Sequence, residues 1–237
     1  MDIACRLGRF ELQLTGCRPF AAALDEPHTM HFVWVLMNFG FVVVSRAIPA
    51  RRVAEIGMAY DELMVPSSSP DFKAGTTTDR RFFVVSRVSF ENVYEHPSLL
   101  TACTQLIGQQ FKLSSLLGRT LRAGSPAQEL HIDVTRHTAD APMVGFILML
   151  DAFTPSNGAT RFIPGSQRFP DVPSDRLADP RLECRSEVLA CGDAGSMIIF
   201  NAAVWHGHTA NKTQKSRRSI QGYFVRCCAH EAMRLPS

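Results

Sequence analysis

Apolar residues recur along this chain with a helical period in its first half and a strand period in its second. The run Gly40-Phe-Val-Val-Val-Ser45 reads as a short strand. After Pro49, the segment from Arg51 to Met64 carries Val53, Ile56, Ala59 and Leu63 at helical spacing. Residues 97 to 109 repeat that spacing through Leu99, Leu100, Cys103, Leu106 and Ile107, with Pro97 suited to a first helical turn. Between these helices, residues 66 to 81 are rich in Ser, Thr, Pro and Asp and predict a flexible surface loop, either a linker or a lid. Residues 1 to 30 are predicted to be an N-terminal extension. From Lys112 onward short β-rich runs dominate: Ser114 to Arg122, Leu130 to Val134, Met143 to Leu150, Thr160 to Ile163, Glu187 to Leu189, Ser196 to Asn201 and Ser219 to Arg226. Asn157-Gly158 predicts a hairpin turn between two of them. Helices first and strands afterwards give an α+β, mainly β chain, a jelly-roll barrel buttressed by N-terminal helices.

Composition narrows this further. The 237 residues, 46% hydrophobic and 20% charged, suit one domain spanning 1–237 with a sizeable core. A net charge of +3 with scattered basic residues gives no footprint for nucleic acid. The longest apolar run, Phe32 to Val44, is broken by Asn38 and Gly40 and falls short of the roughly 20 residues that cross a bilayer. No signal-like apolar stretch precedes Thr29, so no membrane partner and a cytoplasmic location are expected. Seven cysteines without a C-x-x-C pair predict reduced, mostly buried thiols. The pattern leaves the oligomeric state open.

Candidate chemistry begins at His131-Ile132-Asp133, which on a strand would put imidazole and carboxylate on one face. With eight histidines in the chain such a pair arises readily by chance and is weak alone. Trp205-His206-Gly207-His208, following the apolar run Met197-Ile198-Ile199-Phe200, offers a third ligand. Two imidazoles and one carboxylate suit Fe(II) with open positions for a cosubstrate and O2, although zinc accepts the same donors. Arg217 precedes Ser219-Ile-Gln-Gly-Tyr-Phe-Val225, a run whose alternate positions would line a barrel interior. A guanidinium there can hold a carboxylate of a dianionic cosubstrate through two parallel hydrogen bonds. Arg218, of opposite parity, is expected to point outward into a surface ion pair, and Asp151 to act as a structural acceptor.

The ordered set His131-Ile-Asp133, Leu150-Asp-Ala-Phe-Thr-Pro-Ser-Asn-Gly158, Ile163-Pro-Gly-Ser166, His206-Gly207, Asn211-Lys-Thr213 and Arg217 resembles the phytanoyl-CoA dioxygenase family of Fe(II)/2-oxoglutarate oxygenases. The resemblance covers roughly residues 36 to 226. It implies a double-stranded β-helix, with His131, Asp133 and His206 as iron ligands and Arg217 on the distal carboxylate of 2-oxoglutarate. Ser219, His208 and Gln128 are expected to contribute to the cosubstrate site, with a backbone bond open as the alternative for Ser219, the place of His206 on iron for His208, and substrate contact for Gln128. The chain departs from the family at Gln167, where His is common, and at His208, where a small hydroxylic residue is common. Because halogenating relatives lack the carboxylate ligand, Asp133 favours hydroxylation, here of a small lipid-like, amino-acid or secondary-metabolite substrate, with release of succinate and CO2. The rival readings are a non-catalytic jelly-roll binding a small ligand and a cupin-like metalloenzyme that needs no 2-oxoglutarate.

Overall fold

The computed structural model describes residues 26–63, 76–79, 91–108, 110–134 and 142–226. In chain order the elements are α1 (Glu26–Phe39), β1 (Phe41–Val44), α2 (Ala50–Leu63), β2 (Thr76–Asp79), α3 (Glu91–Tyr94), α4 (Pro97–Leu106), β3 (Phe111–Leu121), β4 (Met143–Met149), β5 (Thr160–Phe162), α5 (Pro173–Arg176), β6 (Val188–Ala190), β7 (Met197–Asn201), β8 (His206–His208) and β9 (Arg217–Arg226). All strand pairings are antiparallel, in a six-stranded sheet ordered β1-β7-β4-β9-β3-β2 and a three-stranded sheet ordered β6-β5-β8. The described chain is thus mainly β with few helices, and no described helix is long and apolar enough to cross a membrane.

Burial explains the layering. Helix α2 turns Val53, Ile56, Ala59 and Tyr60 inward, and the Tyr60 hydroxyl meets Thr120 Oγ1 at 2.7 Å on β3. Helix α4 starts at Pro97, with His96 Nδ1 accepting the Ser98 amide at 3.3 Å, and buries Leu99, Ala102 and Cys103. These faces meet Val144, Phe146, Leu148, Ile199 and Ile220 from one face of the large sheet. The opposite face supplies Phe41, Ile147, Met149, Ile198 and Phe200 to a second core shared with Phe162 and Ala190 of the small sheet. Phe41 and Phe162 stack with ring centroids 4.2 Å apart, pinning the two sheets together.

Several expectations need correction. Residues 26 to 30, expected in an extension, begin α1, whose Phe32, Val35 and Leu36 are buried; residues 1–25 lie outside the described residues. Thr76–Asp79, expected in a loop, pairs with Gly118 to Leu121; residues 64–75 and 80–81 lie outside the described residues. Residues 130 to 134 form no strand, only a bridge between His131 and His206. Of the three described cysteines only Cys103 is buried, its thiol pushed up to about 12 by that burial.

Asn157-Gly158 is a turn but not a hairpin, because β4 and β5 belong to different sheets. Gly158 has φ +84°, and a Cβ there would sit 2.0 Å from Leu121 Cδ2. Gly158→Ala combines strain with overpacking and is expected to destabilise the fold by about 1–3 kcal/mol, read as a lowered urea midpoint at unchanged m. An unchanged midpoint would contradict this close approach.

Candidate metal and cosubstrate site

His131 and His206 are held together by the backbone before any side chain acts. The His131 amide donates to the His206 carbonyl at 2.9 Å, the His206 amide donates back at 3.0 Å, and the Asp133 amide donates to the Ala202 carbonyl at 2.9 Å. This ties the 131–133 segment to the start of β8, so Asp133 needs no strand to share a face with His131. The two rings lie 4.4 Å apart. His131 Nε2 is 3.5 Å from Asp133 Oδ1, and His206 Nε2 is 3.1 Å from Asp133 Oδ2. One ligand atom from each of the three falls within 4.8 Å of the others.

The far side of each ring sets its tautomer. His131 Nδ1 faces the Glu129 carbonyl at 3.0 Å and His206 Nδ1 faces the Val204 carbonyl at 2.9 Å. A carbonyl only accepts, so each Nδ1 carries a proton, and Nε2 is the atom each ring presents to Asp133. Burial alone would raise the Asp133 carboxyl, but His206 and His131, through charge and hydrogen bonding, overcome it and hold the group well below the usual carboxylate range. Tyr223 donates its hydroxyl to Asp133 Oδ2 at 2.7 Å, fixing that oxygen from a third side. Two imidazoles and a carboxylate, each oriented by an outer partner, are a donor set that fits a divalent metal.

All seven residues singled out from the sequence, His131, Asp133, His206, Arg217, Ser219, His208 and Gln128, line one cavity of about 200 Å³. Residues 217, 219, 221 and 223 of β9 all face it, as the period of two requires. Arg217 is buried with its guanidinium 3.8 Å above the Phe153 ring, and its Nε is enclosed without a hydrogen-bond partner among the described residues. Burial first, and then the charge of Arg119, depress it to about 9. A dianion would relieve both, so the residues fit a dicarboxylate such as 2-oxoglutarate. Ser219 Oγ donates to the Arg119 carbonyl at 3.3 Å. His208 lies on the cavity but outside the His131, Asp133, His206 cluster; burial lowers it to about 4, outweighing its hydrogen bond to Thr209, and Arg119 and Arg217 push the same way.

Sequence reasoning missed four cavity or support residues. Arg119 of β3 lies opposite Ser219 and shares the cavity face; Thr160 lines it from β5. Tyr223 was placed on an interior-lining run without its bond to Asp133. Arg161, only 1% exposed, donates to the carbonyls of Gln128, Pro180 and Leu182 and to Glu187, anchoring the segment that leads into His131. Val144, Phe146, Leu148 and Leu150 pack with the helices in the main core, and on β4 it is Ile147, of opposite parity, that reaches the cavity. Arg218 does point away from the cavity, but its pair with Asp151 is bidentate and half-buried, with Asp61 of α2 as a third partner.

A family model described as phytanoyl-CoA dioxygenase matches residues 37–219. The chain is 26% identical over 224 residues to the dioxygenase olcK of Penicillium canescens, covering 85% of this chain and 72% of that one. It is 30% identical over 132 residues to the dioxygenase af480 of Aspergillus fumigatus, covering 53% of this chain and only 40% of the relative. Among solved structures, the epimerase SnoN in complex with Fe3+, alpha-ketoglutarate and nogalamycin RO superimposes with a TM-score of 0.68 at 19% identity, covering 85% of each chain. HygX from Streptomyces hygroscopicus with nickel and 2-oxoglutarate bound gives 0.68 at 15% identity, covering 86% of this chain and 88% of that one.

Proposed function

Because the chain belongs to the phytanoyl-CoA dioxygenase family, we propose that it is a mononuclear Fe(II), 2-oxoglutarate-dependent oxygenase of a small organic molecule. The observation that carries this reading is the convergence of His131, Asp133 and His206 within 4.8 Å beside a buried Arg217 whose Nε has no hydrogen-bond partner among the described residues, in one cavity. The two antiparallel sheets are read as a double-stranded β-helix within a single domain over 1–237.

In this reading His131 and His206 bind iron through Nε2 and Asp133 through a carboxylate oxygen. Arg217 pairs with the distal carboxylate of 2-oxoglutarate through its charge and planar fork, with Ser219 beside it on the strand, and Gln128 and His208 close the cosubstrate end of the cavity. When bound, iron and 2-oxoglutarate supply the oxidising power: O2 is consumed, the 2-oxo acid becomes succinate and CO2, and the second oxygen atom enters the substrate C–H bond. The apolar walls at Leu121, Ile147 and Phe200 exclude water from the reacting groups. His208, neutral at pH 7, adds no charge against the cosubstrate. Asp133 favours hydroxylation over halogenation, while the likeness to the epimerase SnoN supports inversion of a carbon centre as a second outcome.

Purified protein supplied with Fe(II), 2-oxoglutarate and ascorbate is expected to bind 2-oxoglutarate and release succinate with a panel of lipid, amino-acid and secondary-metabolite substrates. Neither binding nor succinate release would sink the proposal. Tyr223→Phe removes only the hydroxyl on Asp133 Oδ2. Fe(II) affinity should fall by about 10–100-fold, as for other outer-sphere partners, with little change in thermal midpoint. Equilibrium dialysis against Fe(II) checks it, and unaltered affinity would remove Tyr223 from the design of the centre.

A further inference from the structure

Building on the iron and 2-oxoglutarate reading, the charges inside the cavity do not cancel, and the surplus sits on Arg119. A ferrous ion, the Asp133 carboxylate, the 2-oxoglutarate dianion and the Arg217 guanidinium together sum to zero. Asp133 is the only carboxylate on the cavity wall among the described residues. Asp133 is already engaged on both oxygens by Tyr223, His206 and His131. Arg119 remains, a full positive charge opposite Ser219 on the cavity face of β3, with its Nε enclosed and without a hydrogen-bond partner among the described residues. It shares the cavity wall with Asp133, His208, Arg217 and Tyr223, which places it centrally. A half-buried guanidinium in a cavity wall is stabilised where an anion arrives to pair with it.

We propose that Arg119 receives a carboxylate of the primary substrate, so that the molecule oxidised here is an organic acid. One surplus charge matches a monoanion, whereas a phosphate monoester, carrying about −1.5 to −2 at pH 7, overshoots it. The planar guanidinium presents paired donors that fit a carboxylate edge-on, and Leu121, Ile147 and Phe200 give the remainder of the acid an apolar bed. The cavity of about 200 Å³ is small beside the ~300–1,000 Å³ typical of drug-sized ligands. Beside the cosubstrate it therefore admits the reacting, carboxylate-bearing end of the acid.

The test uses protein loaded with Fe(II) and saturating 2-oxoglutarate under anaerobic conditions. It is titrated with propionate, octanoate and benzoate, each paired with its primary amide, and binding is followed by calorimetry and by the visible absorbance of the iron–cosubstrate complex. At least one acid should bind the wild type about 10–100-fold more tightly than its amide, the worth of a charged hydrogen-bonded pair. Arg119→Met should erase that preference and Arg119→Lys should keep part of it. The thermal midpoint of ligand-free Arg119→Met should equal or exceed that of the wild type, since an unpaired cation is removed. The proposal is overturned if acids and amides bind the wild type alike, or if the preference survives Arg119→Met. It is also overturned if Arg119→Met weakens 2-oxoglutarate binding about tenfold or more, which would give this guanidinium to the cosubstrate. A wild type that binds no 2-oxoglutarate overturns the underlying reading of the site, and this inference with it.

Discussion

Replacing Asp133 with alanine is expected to lower Fe(II) affinity by more than about a hundredfold and to abolish succinate release, because losing even an outer partner of a metal ligand costs ~10–100-fold. The carboxylate is the only anion in the cluster, and it stands between the two Nε2 atoms at 3.5 and 3.1 Å. Without it the imidazoles offer neutral donors alone, and the Tyr223 hydroxyl loses its acceptor. That orphaned hydroxyl should destabilise the metal-free protein by about 1–3 kcal/mol. Metal analysis after dialysis, together with a thermal melt, separates the two effects. Full metal content in Asp133→Ala would mean that the ion is held elsewhere.

Arg217→Leu is the second large effect. Breaking a buried charge pair costs about 3–5 kcal/mol, so the 2-oxoglutarate dissociation constant should rise roughly 10²–10³-fold. Binding of 2-oxovalerate, which has the same 2-oxo acid end but no distal carboxylate, should be nearly indifferent to the substitution. Arg217→Lys keeps the charge without the fork and should fall between. Equal losses for both 2-oxo acids would move Arg217 away from the distal carboxylate, and no loss for either would favour the cupin-like reading without cosubstrate.

How much of this was legible in the sequence follows from the range over which each signal acts. Helix α2 was readable because Val53, Ile56 and Ala59 recur locally, and the cavity face of β9 because Arg217, Ser219, Gln221 and Tyr223 obey a period of two. The His131, Asp133 and His206 grouping was readable from the order of motifs, although the reason offered for the first pair, a strand, is not how they meet. Arg119 was not readable: its significance depends on register with Ser219, a hundred residues away in sequence, which no local pattern encodes. The same holds for β4, where both faces are buried and parity alone does not say whether Phe146 or Ile147 meets the cavity. Gly158 carried a true turn signal, but the turn joins two sheets instead of neighbouring strands.

The reciprocal amide–carbonyl bonds between His131 and His206 carry one more implication. Because main-chain groups hold both imidazoles in place, the bare centre already has the shape that an incoming ion needs, and capture demands little reordering of the polypeptide. Occupancy then becomes a contest of supply and intrinsic affinity among similarly sized divalent ions. Nickel or cobalt should seat as readily as iron, silencing turnover while leaving the surrounding scaffold undisturbed.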